Sequence, residues 1–274
     1  MTDALVKDFY SFHVRDEWHR LVMDACHRLE FDTTFHFLDK YLPRRGLILD
    51  AGGGPGRYTL ELARKGYDVV LLDATQANLD FARRQVNRHG LRARVPEIRT
   101  GSIVDLSNFT DASFDAVLCT GGPLSHILDP HHRELAITEL IRVVKPGAPI
   151  FVSVMSKLGA LVSILKEALP EIGLSHFNQL CDTGDYLGGF GFTACHFYLP
   201  EELRDEFTRD GLQILEMVGL EGISSHHAKE LNRLAKDENR FQSWLEMHYR
   251  TCTHPVVVGI SEHMLIVCRK LDQT

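Results

Sequence analysis

The stretch from residue 46 to 156 constrains this chain most: short apolar runs alternate with helical segments, and the first run ends in a cluster of glycines. Leu47-Ile-Leu-Asp-Ala51 reads as a buried strand. A helix is expected from Gly56 to Lys65, stopped by Gly66. Asp68-Val-Val-Leu-Leu-Asp73 reads as a second buried strand. Thr75 is placed to cap a helix whose Leu79, Ala82 and Val86 recur at helical spacing, and Gly90 ends it. A third strand is expected near Val95 to Gly101 and a fourth over Phe114-Asp-Ala-Val-Leu-Cys119. Asp129-Pro130 is a helix start, with Leu135, Leu140, Ile141 and Val144 as its apolar face. Pro149-Ile-Phe-Val-Ser-Val154 is a fifth strand. Strands and helices alternating in this way fold as an α/β unit with a parallel sheet covered on both faces.

The rest is less regular. Residues 1–45 read as two cap helices before the cofactor-binding core at 46–156. Residues 157–199 read as a lid insertion, with a helix near 159–169 and a glycine-rich stretch from Gly184 to Gly191. Residues 200–274 return to the core with a helix from Pro200 to Arg209, a strand from Leu212 to Gly219, helix from Ala228 to Arg250 within an insertion at 224–256, and a last strand from Glu262 to Arg269. The whole, 1–274, is read as a single domain.

Composition narrows the function classes. Apolar residues make up 44% and charged residues 24%, enough for a sizeable core. The net charge of −7 counts against a nucleic-acid footprint, which needs a basic face. The clustered Arg83, Arg84, Arg88, Arg92 and Arg94 read as a solvated helix face. No run is long enough to span a bilayer, and Met1 to Tyr10 has no apolar region of the secretory kind, so a cytoplasmic protein is expected. None of the six cysteines forms a C-x-x-C pair, which reads as reduced thiols.

The glycine turn is Asp50-Ala-Gly-Gly-Gly-Pro-Gly56. In open α/β sheets ligands bind at the carboxyl ends of the strands, and missing side chains let the backbone approach them. Counted from Gly52, the third glycine of a dinucleotide fingerprint would fall on Arg57, so the nicotinamide reading weakens. No Gly-Lys-Ser/Thr follows, so the P-loop reading fails. Asp73 ends the second strand, where an acid accepts hydrogen bonds from ribose hydroxyls. Asp50 is placed near the amino group of a bound amino acid. Two acids flanking a glycine turn suit an adenosine with an amino-acid tail and no phosphate.

On these residues, Leu47 to about Ser156 resembles the class I S-adenosylmethionine-dependent methyltransferases. The resemblance implies a Rossmann-like sheet of seven strands with the last antiparallel. It implies that the Gly52–Gly53–Gly54–Gly56 backbone lies along the methionine part of S-adenosylmethionine (product S-adenosylhomocysteine), that Asp73 and Ala74 meet the ribose, and that Gly101-Ser102-Ile103 holds the adenine. Many family members carry an acid where Ser102 stands; the Ile103 backbone and side chain can still serve. Gly122-Pro-Leu-Ser-His-Ile127 is similar to a G-P-L-Y-H-L-like segment of a bacterial and archaeal group in this family, with Ser125 in place of tyrosine. Arg15-Asp-Glu-Trp-His-Arg-Leu21 and Pro200-Glu-Glu-Leu203 resemble the same group.

Methyl transfer needs an oriented nucleophile, and a base only where that nucleophile must lose a proton. The resemblance puts Thr120, Gly121, Leu124 and His126 near the transferred methyl. His126 is the candidate catalytic base or substrate-positioning group, and its plainer reading is a loop role before Asp129. Serine at 125 would leave room for an acceptor. In related enzymes N-terminal helices close over the cofactor, so Tyr10 and Arg20 are candidates for the methionine carboxylate; the plainer reading packs Trp18 and Leu21 on the sheet with Arg20 solvated. His196, Tyr198, His226 and His248 are candidate lining of an acceptor pocket. Phe177, Phe190, Phe192 and Phe197 line such a pocket or pack the lid. No H-E-x-x-H or H-x-x-E-H pattern occurs, and no metal is expected.

The expected activity is methyl transfer to O, N or S of a small molecule. The expected partners are that acceptor and, in a homodimer, a second copy; neither nucleic acid nor a membrane is expected. An RNA or protein methyltransferase is the alternative, though the segment after strand four is Thr120-Gly-Gly-Pro123 rather than N/D-P-P-Y. A cofactor-binding regulatory protein without catalysis is a third reading.

Overall fold

The computed structural model describes residues 2–188 and 192–272. Its centre is a seven-stranded sheet. In chain order the strands are β1 (Leu47–Ala51), β2 (Asp68–Asp73), β3 (Glu97–Thr100), β4 (Ala116–Cys119), β5 (Pro149–Met155), β8 (Leu212–Gly219) and β9 (His263–Lys270); the two-residue pair β6 (Asp185–Tyr186) and β7 (Cys195–His196) lies apart. The sheet order is β3-β2-β1-β4-β5-β9-β8. β1 to β5 pair in parallel, and β9 runs antiparallel to both β5 and β8. This is the Rossmann-like arrangement with a reversed last strand.

The central strands are apolar throughout because both faces are covered. On one face Leu49, Val117 and Val152 pack against Ala136, Ile137, Leu140 and Val143 of a helix at Pro130–Val143. On the other, Ile48, Leu118 and Phe151 meet Phe31, Phe35 and Leu38 of a helix at Ala25–Tyr41. Leu135 is not part of that apolar face: it is 37% exposed, because the buried stripe runs through Ala136, Ile137, Leu140 and Val143.

The helices in chain order are α1 (Thr2–Phe12), α2 (Val14–Arg20), α3 (Ala25–Tyr41), α4 (Arg57–Arg64), α5 (Gln76–Arg88), α6 (Pro130–Val143), α7 (Lys157–Glu167), α8 (Ser175–Thr183), α9 (Pro200–Phe207), α10 (Ala228–Leu234), α11 (Glu238–Thr251) and α12 (Pro255–Ile260). Side-chain caps explain several starts. Asp24 accepts from the His27 amide, Asp129 from His131, Ser156 from Gly159 and Asp237 from Arg240.

Three expectations need correction. The N-terminal segment forms three helices rather than two, because Asp24 starts α3 afresh after a turn. The helix expected over 228–250 is two, since Asp237 opens a new one at Glu238. Thr75 precedes α5 but makes no side-chain cap; its amide instead donates to Asp73 Oδ1 at 2.8 Å.

Candidate cofactor and acceptor site

β1 has β2 on one side and β4 on the other, so successive connections leave its carboxyl end in opposite directions. That switch point is where open sheets form a crevice. The glycine turn fills it. Gly52 and Gly53 amides donate to the Leu72 carbonyl at 2.7 and 3.1 Å, which folds the turn back over β2. Gly52 has φ +79, and a Cβ there would meet Pro123 at 2.5 Å. Gly54 has φ +55, and a Cβ there would find only Asn78 within 4 Å, at 3.9 Å. The first glycine lets the loop after β4 close in; the second leaves a concavity.

A cavity of about 220 Å³ occupies that concavity. Its wall carries Tyr10 and Arg20 from the N-terminal helices, Gly52 to Gly54 from the turn, Asp73 and Ala74 from the end of β2, Ser102 and Ile103 after β3, and Thr120, Gly121 and His126 after β4. The residues named from sequence for the cofactor are thus gathered around one cavity, with two exceptions. Asp50 and Gly56 lie behind the turn. Asp50 is fully buried: its Oδ2 accepts from the Thr59 hydroxyl at 2.5 Å, and its Oδ1 has no partner among the described residues. Burial pushes the Asp50 carboxyl up to about 6, against the lowering effect of Thr59. Its carboxylate supports the turn from beneath, 2.5 Å from where a Gly53 Cβ would stand.

Asp73 faces the cavity. Its Oδ1 accepts from Thr75 N at 2.8 Å and Asn78 Nδ2 at 3.2 Å, and its Oδ2 from Gly54 N at 2.9 Å. A carboxylate has about four acceptor positions, so one is left for a ligand hydroxyl. Burial raises its pKa, and these three donors work the other way.

The N-terminal helices form the facing wall. Tyr10 donates its hydroxyl to His126 Nε2 at 2.7 Å, and His126 Nδ1 lies 3.0 Å from the Ala194 carbonyl. Burial lowers the His126 pKa and raises that of Tyr10. Arg20 is held by Glu30 through both terminal nitrogens and by Glu17 at 3.3 Å through Nε. Arg57, the residue that replaces a third glycine, reaches back to the Trp18 carbonyl and lays its guanidinium 3.7 Å from the Trp18 ring.

Other expected acceptor-pocket residues are placed elsewhere. Leu124 is wholly buried in the sheet core. Ser125 is also buried, and its hydroxyl accepts from the Met155 amide at 3.0 Å, so it opens no space. His196 is enclosed between Asp185 and Glu202, at 2.7 Å from each. The Tyr198 hydroxyl donates to Glu206 at 3.3 Å. His226 pairs with Glu262 at 3.0 Å. His248 meets the Thr33 hydroxyl at 2.8 Å beneath α3. Phe192 and Phe197 pack on the Met155, Leu180 and Tyr186 cluster of the insertion, Phe177 is half-buried on α8, and Phe190 lies outside the described residues.

The wall also carries Tyr58 and Asn78, which the sequence reading missed. Each stands in the first turn of a helix that follows a ligand-facing loop, which is the signal that would have found them. Three buried polar atoms on the wall, Tyr58 Oη, Asn78 Oδ1 and Thr120 Oγ1, have no hydrogen-bond partner among the described residues. Orphaned acceptors and donors of this kind call for a ligand. Together with the open concavity at Gly54 and the spare acceptor on Asp73, they fit a nucleoside with a polar tail, as S-adenosylmethionine is.

Residues 48–147 match the protein family described as "Methyltransferase domain". A relative named ubiquinone biosynthesis O-methyltransferase from Xanthomonas oryzae pv. oryzae is 31% identical over 63% of this chain and 65% of its own. A relative with the same name from Hahella chejuensis is 36% identical over 40% of this chain and 43% of its own. The chain therefore spans less than two thirds of the length of these relatives. A solved structure described as a SAM-dependent methyltransferase from Methanosarcina mazei superposes with a TM-score of 0.62 at 22% identity, covering 86% of this chain and 98% of that one. Residues 48–147 thus match a methyltransferase domain, on a sheet that shares its fold with a SAM-dependent methyltransferase.

Proposed function

We propose that this chain, built on such a domain, moves a methyl group from S-adenosylmethionine to a hydroxyl oxygen of a small organic molecule. When bound, the cofactor supplies a methyl carbon on a positive sulfonium, already primed for displacement. The chain's own part is to hold, orient and deprotonate. The Gly52–Gly54 backbone receives the methionine portion, Asp73 a ribose hydroxyl, and the Gly101–Ile103 segment the adenine. Arg20 faces the carboxylate as a charge-assisted partner.

The observation that carries the oxygen acceptor is the chain Tyr10–His126–Ala194. A carbonyl accepts only, so His126 Nδ1 bears the proton and donates to Ala194. Nε2 is then a lone pair, and the Tyr10 hydroxyl donates into it. Burial keeps the imidazole neutral and ready to accept. A hydroxyl that donates to Tyr10 Oη can release its proton through Tyr10 to Nε2 while its oxygen becomes the nucleophile. An acceptor with no proton to lose has no use for this pair. The names of the relatives, O-methyltransferases, support the same reading.

The test is incubation with S-adenosylmethionine and a panel of phenols, amines and thiols, with methylated product identified by mass spectrometry. O-methylated product that is lost in His126→Ala is expected. Product on amines or thiols alone, or an unchanged rate in His126→Ala, overturns the proposal.

A further inference from the structure

Behind Arg20 lies a buried row of charges that the methyl-transfer reading does not use. Glu30, which binds both terminal nitrogens of Arg20, has its Oε2 3.8 Å from His263 Nδ1. The same Nδ1 donates to Glu221 Oε1 at 2.7 Å. Glu221 Oε2 accepts from the Ser261 hydroxyl at 2.8 Å and from the His263 amide at 2.9 Å. Glu30 and Glu221 are 2% and 3% exposed. The row joins α2, α3, the segment after β8 and the first residue of β9.

The three side chains Glu30, Glu221 and His263 are close enough to suggest a metal, their ligand atoms lying within 4.8 Å of one another. Their partners argue otherwise. Both Glu30 oxygens already accept from Arg20, and both Glu221 oxygens already accept from Ser261 and His263. The cation of the cluster is the imidazolium itself. Burial alone would lower its pKa, but Glu30 and Glu221 outweigh that and push it up to about 9. In return His263 holds Glu221 down to about 2 against the effect of burial.

Arg20 stands between two carboxylates, Glu17 and Glu30. An arginine fully neutralised by two carboxylates has little attraction left for a third. His263 changes the balance because it shares Glu30 and takes up Glu221. With His263 charged, two cations face three carboxylates; with His263 neutral, one does. Arg20 also has spare donors: five N–H groups are available and three nitrogens are each engaged once. Its Nη2 points towards the cavity, 3.9 Å from where a Cβ on Gly121 would stand.

Resting on the cofactor reading above, we propose that His263 is a positioning residue for the amino-acid end of the cofactor: it divides the negative charge behind Arg20 so that Arg20 can bind the cofactor carboxylate. The groups that face His263 are Glu30 from α3, Arg20 from α2, Glu221 after β8 and Glu262 before it in sequence; His27 of α3 stands near Glu262.

The test compares two ligands by calorimetry on the full chain. S-adenosylhomocysteine carries the amino-acid tail, and 5′-methylthioadenosine is the same nucleoside thioether without it. His263→Gln is expected to weaken S-adenosylhomocysteine by about tenfold at pH 7 and 5′-methylthioadenosine by less than about twofold. The double variant His263→Gln with Glu221→Gln removes one charge of each sign and is expected to recover most of the loss. As pH rises through about 9, affinity for S-adenosylhomocysteine should fall more steeply in the wild type than in His263→Gln, since the ligand's own amino group titrates equally in both. Equal weakening of both ligands, or of neither, in a wild type that binds both overturns the positioning role alone. A wild type that binds neither overturns the cofactor reading and this proposal with it.

Discussion

The Tyr10 hydroxyl of the first helix lies 2.7 Å from His126 Nε2 in the loop after the fourth strand. Two segments far apart in sequence thus share one proton site on the cavity wall. If the pair acts together, Tyr10→Phe and His126→Ala should each lower kcat by roughly 10²–10³-fold, in the range of general-base catalysis. The double variant should be little worse than either single one, because residues of one unit are not additive. Steady-state kinetics decide it, and a Tyr10→Phe enzyme with normal kcat would detach Tyr10 from the proton path.

The pH dependence of kcat follows from His126. Protonated His126 cannot accept. Burial holds its pKa below the ordinary 6.5, so activity should persist below pH 6.5 and fall only at lower pH. A pH–rate profile with its acidic limb above 6.5 would contradict this.

Gly54→Val should abolish measurable S-adenosylhomocysteine binding by calorimetry. The position has φ +55 and any side chain projects into the concavity. Asp73→Ala should weaken binding and also lower stability by about 1–3 kcal/mol, since Gly54, Thr75 and Asn78 lose their shared acceptor. Chemical denaturation separates the two effects: Gly54→Val with full affinity would place the methionine portion elsewhere.

His263 makes stability depend on pH at the alkaline end. Its folded pKa of about 9 exceeds its unfolded value of 6.5. The contribution is fully present below pH 6.5 and is lost as pH rises through about 9, amounting to about 2–3 kcal/mol. Asp50 acts in the same direction at lower pH. Its folded pKa of about 6 exceeds the ordinary 3.8, so its contribution declines between those values as pH rises. Urea midpoints between pH 5 and 10 should therefore fall on the alkaline side, and His263→Gln should flatten the slope above pH 7.

The core was legible because its signals are local. Buried parallel strands are continuous apolar runs, and glycine marks where the chain turns back under a ligand. Asp73 could be named because the end of the second strand has a fixed place relative to the first. The acceptor side was not legible for a physical reason. His196, Tyr198 and His226 look like site residues by type, yet Asp185 and Glu202 hold both nitrogens of His196, Glu206 takes the Tyr198 hydroxyl and Glu262 takes Nδ1 of His226. A polar side chain is available to a ligand only when no neighbour has claimed it, and such neighbours come from other elements. Arg57 shows the same limit: its sequence position spoke only against a dinucleotide, while its role of holding Trp18 depends on a helix 39 residues away.

The reversal of β9 has one more consequence. Because it runs against β5, its first residue, His263, arrives at the edge where the parallel strands finish, opposite Met155. Side chains of α3 and β9 then meet behind Arg20. Asp73 and His263 are 190 residues apart, so the glycine turn and Asp73 leave the ribosome before the partner that balances Glu30. The wall proposed for the nucleoside is thus synthesised well before the charge balance proposed behind Arg20 is complete.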